Sequence, residues 1–161
     1  KREEVKRYNE QMFHIGLENL IKNKLKFDYF TTSKKNVLRG MHFQLPPHDH
    51  EKLVFVPIGS IIDVVVDLRK NSSTYKKHIS VELCEENKKS IYIPKGLAHG
   101  FKSLTDQTVT VYNVTSEYSK NEDEGIHFNS FGFDWEVNDP IISNRDLDFQ
   151  SLESFCLKNP F

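Results

Sequence analysis

From Asp28 to Thr115 the chain is cut by turn-forming clusters into short β-type runs, and no helical crossover separates them. The runs are Asp28–Thr32, Val37–Phe43, Lys52–Pro57, Ile61–Leu68, His78–Leu83, Ser90–Ile93 and Thr108–Thr115, each rich in β-branched or aromatic residues. Between them lie Leu45-Pro46-Pro47-His48-Asp49, Arg69-Lys70-Asn71-Ser72-Ser73, Glu85-Glu86-Asn87-Lys88 and Pro94-Lys95-Gly96. Parallel strands need long, usually helical connections, so a parallel sheet is excluded. Many short strands at intervals of roughly 8–15 residues predict an all-β sandwich, jelly roll or barrel.

The flanks differ. Residues 9–23 carry an amphipathic stripe, with Met12, Phe13, Leu17, Leu20 and Ile21 on one face, and predict a short N-terminal helix. After Asp139 the tail reads as loop with one short helix around Leu147–Phe155. With 161 residues and no internal repeat, residues 1–161 are expected to form a single domain. Lys and Arg number 22 against 23 Asp and Glu, so no overall basic field exists to hold nucleic acid or an anionic membrane. No apolar run of about 18 residues is present, so no membrane span is expected. The charged start, Lys1-Arg2-Glu3-Glu4, leads into no apolar signal region, and a cytoplasmic location is the expectation. On that basis the glycosylation patterns at Asn71 and Asn113 are read as chance, and Cys84 and Cys156, which lack metal or redox spacing, as plain thiols.

His42, His48, His50 and His99 fall at strand ends or adjoining loops, where a barrel mouth gathers side chains. One reading of them is a metal site, with His48 and His50 on the same side of an extended segment and His99 as a further ligand, because Pro94-Lys95-Gly96-Leu97-Ala98-His99 resembles the second motif of metal-binding cupins. Metal-binding cupins place a glutamate shortly after the histidine pair; here Val54 and Phe55 occupy that stretch, so no metal is expected. The other reading is acid–base chemistry at carbon. In a regular strand Arg39 and Met41 would face one way, and Gly40, His42 and Gln44 the other. A lone interior histidine is most often a hydrogen-bonded structural residue. His42 is singled out by its company, since Lys52, His99, Tyr112 and Tyr118 lie on strands or strand ends of the same expected barrel.

Five segments then occur in order: Arg39-Gly40-Met41-His42-Phe43-Gln44, Lys52-Leu53-Val54, Asp63-Val64-Val65-Val66-Asp67-Leu68-Arg69, Ile93-Pro94-Lys95-Gly96-Leu97-Ala98-His99-Gly100-Phe101 and Ile142-Ser143-Asn144-Arg145-Asp146. Each is weak alone; together, from about Asn36 to Asp146, they resemble the dTDP-4-dehydrorhamnose 3,5-epimerase family of cupin sugar-nucleotide epimerases. The resemblance implies a cupin-type jelly-roll barrel, a homodimer, a nucleotide-sugar substrate and no cofactor. It implies inversion of C3 and C5 in a nucleotide-linked 4-keto-6-deoxy sugar, a step of deoxysugar and surface-polysaccharide biosynthesis. By the same resemblance His42 is the base, Asp146 its carboxylate partner, Tyr112 the acid on the opposite sugar face, and Lys52 the cation beside the 4-keto oxygen. Arg39, Gln44, His99, Phe101, Tyr118 and Arg145 correspond to residues that line the sugar and pyrophosphate pocket.

The chain departs from the family in two places. Arg2-Glu3-Glu4-Val5-Lys6-Arg7 lacks the glycine, phenylalanine and acid of the usual nucleotide-contacting Arg-Gly-x-Phe-x-Glu run, and the loop Leu45–His50 is unlike the common one. Three alternatives therefore stay open at this level: an epimerase at C3 or C5 alone, a 3,4-ketoisomerase on a GDP-, CDP- or dTDP-sugar, and a non-catalytic sugar-binding cupin.

Overall fold

The computed structural model describes residues 25–161. The helix expected at residues 9–23 and the atypical run at residues 2–7 lie outside the described residues. Within them nine strands form two antiparallel sheets. The first holds β1 (Phe27–Ser33), β8 (Thr108–Val114), β3 (Lys52–Ile58) and β6 (Ser90–Ile93), in that spatial order. The second holds β5 (His78–Cys84), β4 (Ser60–Asp67), β7 (Leu97–Ser103), β2 (Leu38–Gln44) and β9 (Asp123–Gly125). All seven expected strands are present, with ends shifted by no more than a residue or so. Two were not foreseen. β7 is interrupted by Gly100 and carries a lysine and a histidine, so it lacks a clean β pattern. β9, Asp-Glu-Gly, contains no β-forming residue and exists through its pairing with β2.

Two apolar clusters hold the layers together. Between the sheets, Val54, Val56, Ile61, Val65, Leu83, Ile93, Phe101, Tyr112 and Val114 pack together, each large aliphatic or aromatic side chain contributing about 1.5–3 kcal/mol by burial. On the outer face of the second sheet, Leu38, Met41, Phe43, Val64, Val66 and Ala98 are roofed by Ile126, Trp135, Leu152 and Phe155 of the C-terminal segment. β4 contributes to both clusters, which explains its nearly unbroken apolar run: neither of its faces meets water. The tail forms two short helices, α1 (Asn144–Leu147) and α2 (Leu152–Cys156), rather than the single one expected. Ser143 and Ser151 each cap one of them, accepting from the Asp146 and Ser154 backbone N–H groups respectively. Among the described residues no helix is long and apolar enough to cross a membrane.

One irregularity decides where the site lies. Arg39 pairs with Phe101 and His42 with His99, so β2 carries one more residue than β7 between these two points. This bulge corrects the expected alternation: Arg39, His42 and Gln44 all look between the sheets, while Met41 turns to the outer cluster. Gly40 (φ +123°) sits at the bulge, and a Cβ there would stand 2.5 Å from the Gly100 Cα. Neither strand can carry a side chain at this crossing, which is why both motifs place glycine there.

Candidate functional site

The half of the sandwich not filled by aliphatic side chains is a cavity of about 340 Å³. Its lining comes from both sheets: Arg39, His42 and Gln44 from β2, His99 and Phe101 from β7, Lys52 from β3, Tyr112 from β8, and Phe27, Tyr29 and Thr31 from β1. Tyr118, Asp123 and Arg145 stand at the edge. Every binding residue expected from the sequence therefore lines one space. Of the four expected catalytic residues, His42, Lys52 and Tyr112 line it, and Asp146 stands behind His42.

His42 Nε2 lies 2.9 Å from Asp146 Oδ1, joining residues 104 apart in sequence. Asp146 is itself fixed from three directions. The Gly40 N–H donates to its other oxygen at 2.9 Å, Ser143 caps its backbone N–H, and the carboxylate is buried. Burial raises the Asp146 pKa, but the hydrogen bonds from His42 and Gly40 outweigh it and hold the carboxyl below its ordinary value. Burial dominates at His42 and lowers its pKa against the pull of Asp146. The resting pair is thus a carboxylate beside a neutral imidazole. An ionised carboxylate can only accept, so Nε2 carries the proton and Nδ1 keeps a free lone pair.

Facing this dyad from the other sheet are Lys52 and Tyr112. Lys52 is buried, and desolvation brings its ammonium down to about 8, with Asp123 and Asp63 opposing the shift. It reaches the His42 carbonyl oxygen at 3.4 Å. Burial raises the Tyr112 hydroxyl far above its ordinary range. Its ring stacks on Tyr29 (centroids 4.6 Å apart, planes at 11°) and meets His99 edge-on at 6.0 Å. At neutral pH this tyrosine holds its proton firmly, which suits an acid that releases it only to a strong base.

The remaining expected residues divide by what already occupies their polar atoms. His99 bonds Asp63 at 2.7 Å in a second, fully buried His–Asp pair. Gln44 donates to the His48 and Glu117 carbonyls at 2.8 and 3.2 Å and accepts from the Ser119 N–H at 2.7 Å, so it ties together the two loops of the rim. Arg39 reaches Ser33 at 3.3 Å, and Phe101 is a buried wall. At the mouth, Asp123 accepts from Arg145 at 2.8 Å and from the exposed Tyr118 hydroxyl at 3.1 Å. The histidines of the metal alternative have other partners: His48 lies 3.5 Å from Glu122, His50 3.1 Å from Ser116, and His99 2.7 Å from Asp63. Among the described residues no three His, Cys, Asp or Glu side chains form a metal-holding group.

Sequence reasoning gave no role to Tyr29, Asp63 or Asp123. Alternation along β1 could have put Phe27, Tyr29 and Thr31 on one face. Only the pairing of Tyr29 with Tyr112 shows that this face is the cavity's.

Known proteins resemble this chain in sequence and in fold. A family model described as dTDP-4-dehydrorhamnose 3,5-epimerase matches residues 4–154. The dTDP-4-dehydrorhamnose 3,5-epimerase of Salmonella typhimurium is 40% identical over 155 residues, covering 93% of this chain and 82% of the relative. The crystal structure of that enzyme from Bacillus anthracis, with TDP and PPi bound, superposes with a TM-score of 0.79 at 36% identity, covering 80% of this chain and 75% of the other. The Legionella pneumophila dTDP-6-deoxy-D-glucose-3,5-epimerase, in complex with dTDP-4-keto-L-rhamnose, gives 0.77 at 34% identity, covering 81% and 70%.

Proposed function

The chain belongs to the dTDP-4-dehydrorhamnose 3,5-epimerase family, and on that premise we propose that it inverts C3 and C5 of dTDP-4-dehydro-6-deoxyglucose, with His42 as base, Tyr112 as acid and Lys52 at the 4-keto oxygen. It is a carbohydrate epimerase, an isomerase of deoxysugar biosynthesis. The observation that carries the residue roles is the placement of base and acid on opposite sheets, with the cavity between them.

A hydrogen α to a ketone is only weakly acidic, so its removal needs a positioned base and a stabilised enolate. The free Nδ1 lone pair of His42 takes the proton from C3 or C5, and a base so placed contributes about 10²–10⁴-fold. The electron pair moves into the C4 carbonyl. The Lys52 ammonium, buried and still charged at neutral pH, balances the oxyanion, a contribution of roughly 2.7–4 kcal/mol for such a donor. Tyr112 then gives its hydroxyl proton to the opposite face of the same carbon, which inverts it. Proton return from the imidazolium to the tyrosinate restores both groups for the second centre. Asp146 keeps the imidazole in the reactive tautomer and stabilises the imidazolium as it forms. Arg39 and Arg145 supply positive charge for the pyrophosphate, and His99, Phe101, Gln44 and Tyr118 shape the pocket. Incubation of the sugar nucleotide in D2O tests the function. Deuterium is expected at both C3 and C5 of the product; label at only one of them would make this a single-site epimerase, and label at neither would refute the proposal.

The same reading includes a homodimer. Among the described residues β1 is an edge strand of the four-stranded sheet, and it exposes Phe27 on the cavity face and Phe30 on the other at 50% and 69%, an edge of the kind that proteins cover with another strand. Light scattering at micromolar concentration should give about twice the chain mass; a monomer of 18.8 kDa would refute this part.

A further inference from the structure

Against the imidazole of His42, and outside the lining of the cavity, lies a residue that carries no polar chemistry. Phe149 meets the His42 ring edge-on, with centroids 5.6 Å apart and planes at 75°. Its other neighbours are also part of the site. The Arg145 guanidinium sits 5.3 Å from the Phe149 centroid, and the ring covers Gly125, the cross-strand partner of His42 on β9. A Cβ at Gly125 would overlap the ring, so the ring lies flat against bare backbone there. The backbone on either side of Phe149 is tied down. The Asp148 N–H closes α1 onto Asn144, and the Gln150 carbonyl accepts from the His127 N–H at 2.8 Å.

We propose that Phe149 is a positioning residue of this site: wedged between Gly125 and His42, it fixes the plane of the imidazole and keeps water off one side of the His42–Asp146 pair. It is outside the cavity lining, and it acts through His42. The proposal rests on the assignment of His42 as the base. Two consequences follow from the contacts. An imidazole without this wall can swing about its side-chain torsions, so Nδ1 is aimed less often at the sugar carbon. Water admitted beside the ring would also favour the imidazolium, because burial is the largest influence holding its pKa down. The charged groups facing His42 are Asp146 and Arg145 from α1, Lys52 from β3, and Asp123 and His99 from the neighbouring strands. Asp146 stays in place when Phe149 is shortened, since its bonds come from Gly40 and Ser143. The sign is therefore upward: a rehydrated His42 protonates at higher pH, and the acidic limb of activity moves toward neutrality.

The experiment combines kinetics with NMR titration of the His42 ring in Phe149→Ala and Phe149→Leu. In the Ala variant kcat should fall roughly tenfold with KM little changed. The His42 pKa and the acidic limb should rise together by roughly half to one unit. Phe149→Leu restores an apolar cover but cannot hold the guanidinium, so it should return close to the parent values. A Leu variant as impaired as Ala would route the effect through Arg145 and overturn the proposal, as would an unmoved His42 titration or a loss confined to KM. If the NMR pKa rises while the acidic limb stays, the cover is real and His42 is not the base, so the two claims fail separately. Should Phe149→Ala not fold, Phe149→Val, a partial cover, should give an intermediate shift, and no shift there refutes the proposal equally.

Discussion

His42→Asn should abolish epimerisation, and with it the exchange of solvent deuterium into the sugar, while dTDP still binds. Asparagine is of similar size and can still hydrogen-bond Asp146, so the pocket keeps its shape; what disappears is the Nδ1 lone pair of the imidazole whose Nε2–H Asp146 holds. The loss belongs in turnover, about 10²–10⁴-fold or more, because the interaction removed exists only while the proton is moving. Single-turnover kinetics in D2O with product analysis by mass measures it. If the variant still washes deuterium into C3 at near the parent rate, His42 is not the base, and the second buried pair, His99 on Asp63, becomes the first place to look for it.

Tyr112→Phe should separate two events that the parent enzyme keeps together. The substitution removes one oxygen and leaves the stack on Tyr29 and the contact with His99. His42 can then still form the enolate, but the far face has no donor, and the proton returns to the side it left. Inversion should fall by about 10²–10⁴-fold while exchange without inversion persists. The ratio of deuterated, uninverted sugar to product reports this directly. Parallel loss of exchange and inversion would show that the hydroxyl is needed to form the enolate and would give Tyr112 a different role. The expectation depends on His42 of β2 and Tyr112 of β8 standing on opposite sheets with the cavity between them.

Much of the barrel could be read before any coordinates. Alternating apolar residues and turn clusters place seven strands because a strand's pattern is local: side chains i and i+2 share a face wherever the strand ends up. β7 and β9 escape such reading. Leu97–Ser103 carries a glycine, a lysine and a histidine, and Asp123–Gly125 carries nothing with strand preference. Each is extended because a neighbouring strand offers it hydrogen-bond partners. The tail shows the same division. Residues 144–156 contain helix-forming stretches, but Ser143 and Ser151, each capping a turn of its own, make two short helices where periodicity suggested one.

By itself the sequence determined the antiparallel β class, the membership of His42, Lys52 and Tyr112 in one barrel, and, through five ordered motifs, the epimerase family. These follow from local periodicity and residue chemistry, which short windows contain. Only the tertiary structure decided the rest. The register shift between Arg39 and His42 turns both side chains into the cavity against regular alternation. The Gly40–Gly100 contact lets β2 and β7 approach closely enough to make that shift. The tail's path over the outer face of the second sheet carries Asp146 and Phe149 to the His42 ring. The reason is physical. A hydrogen bond of 2.9 Å or a ring contact between residues about a hundred positions apart depends on the summed geometry of every strand and turn between them, and no local pattern encodes that sum.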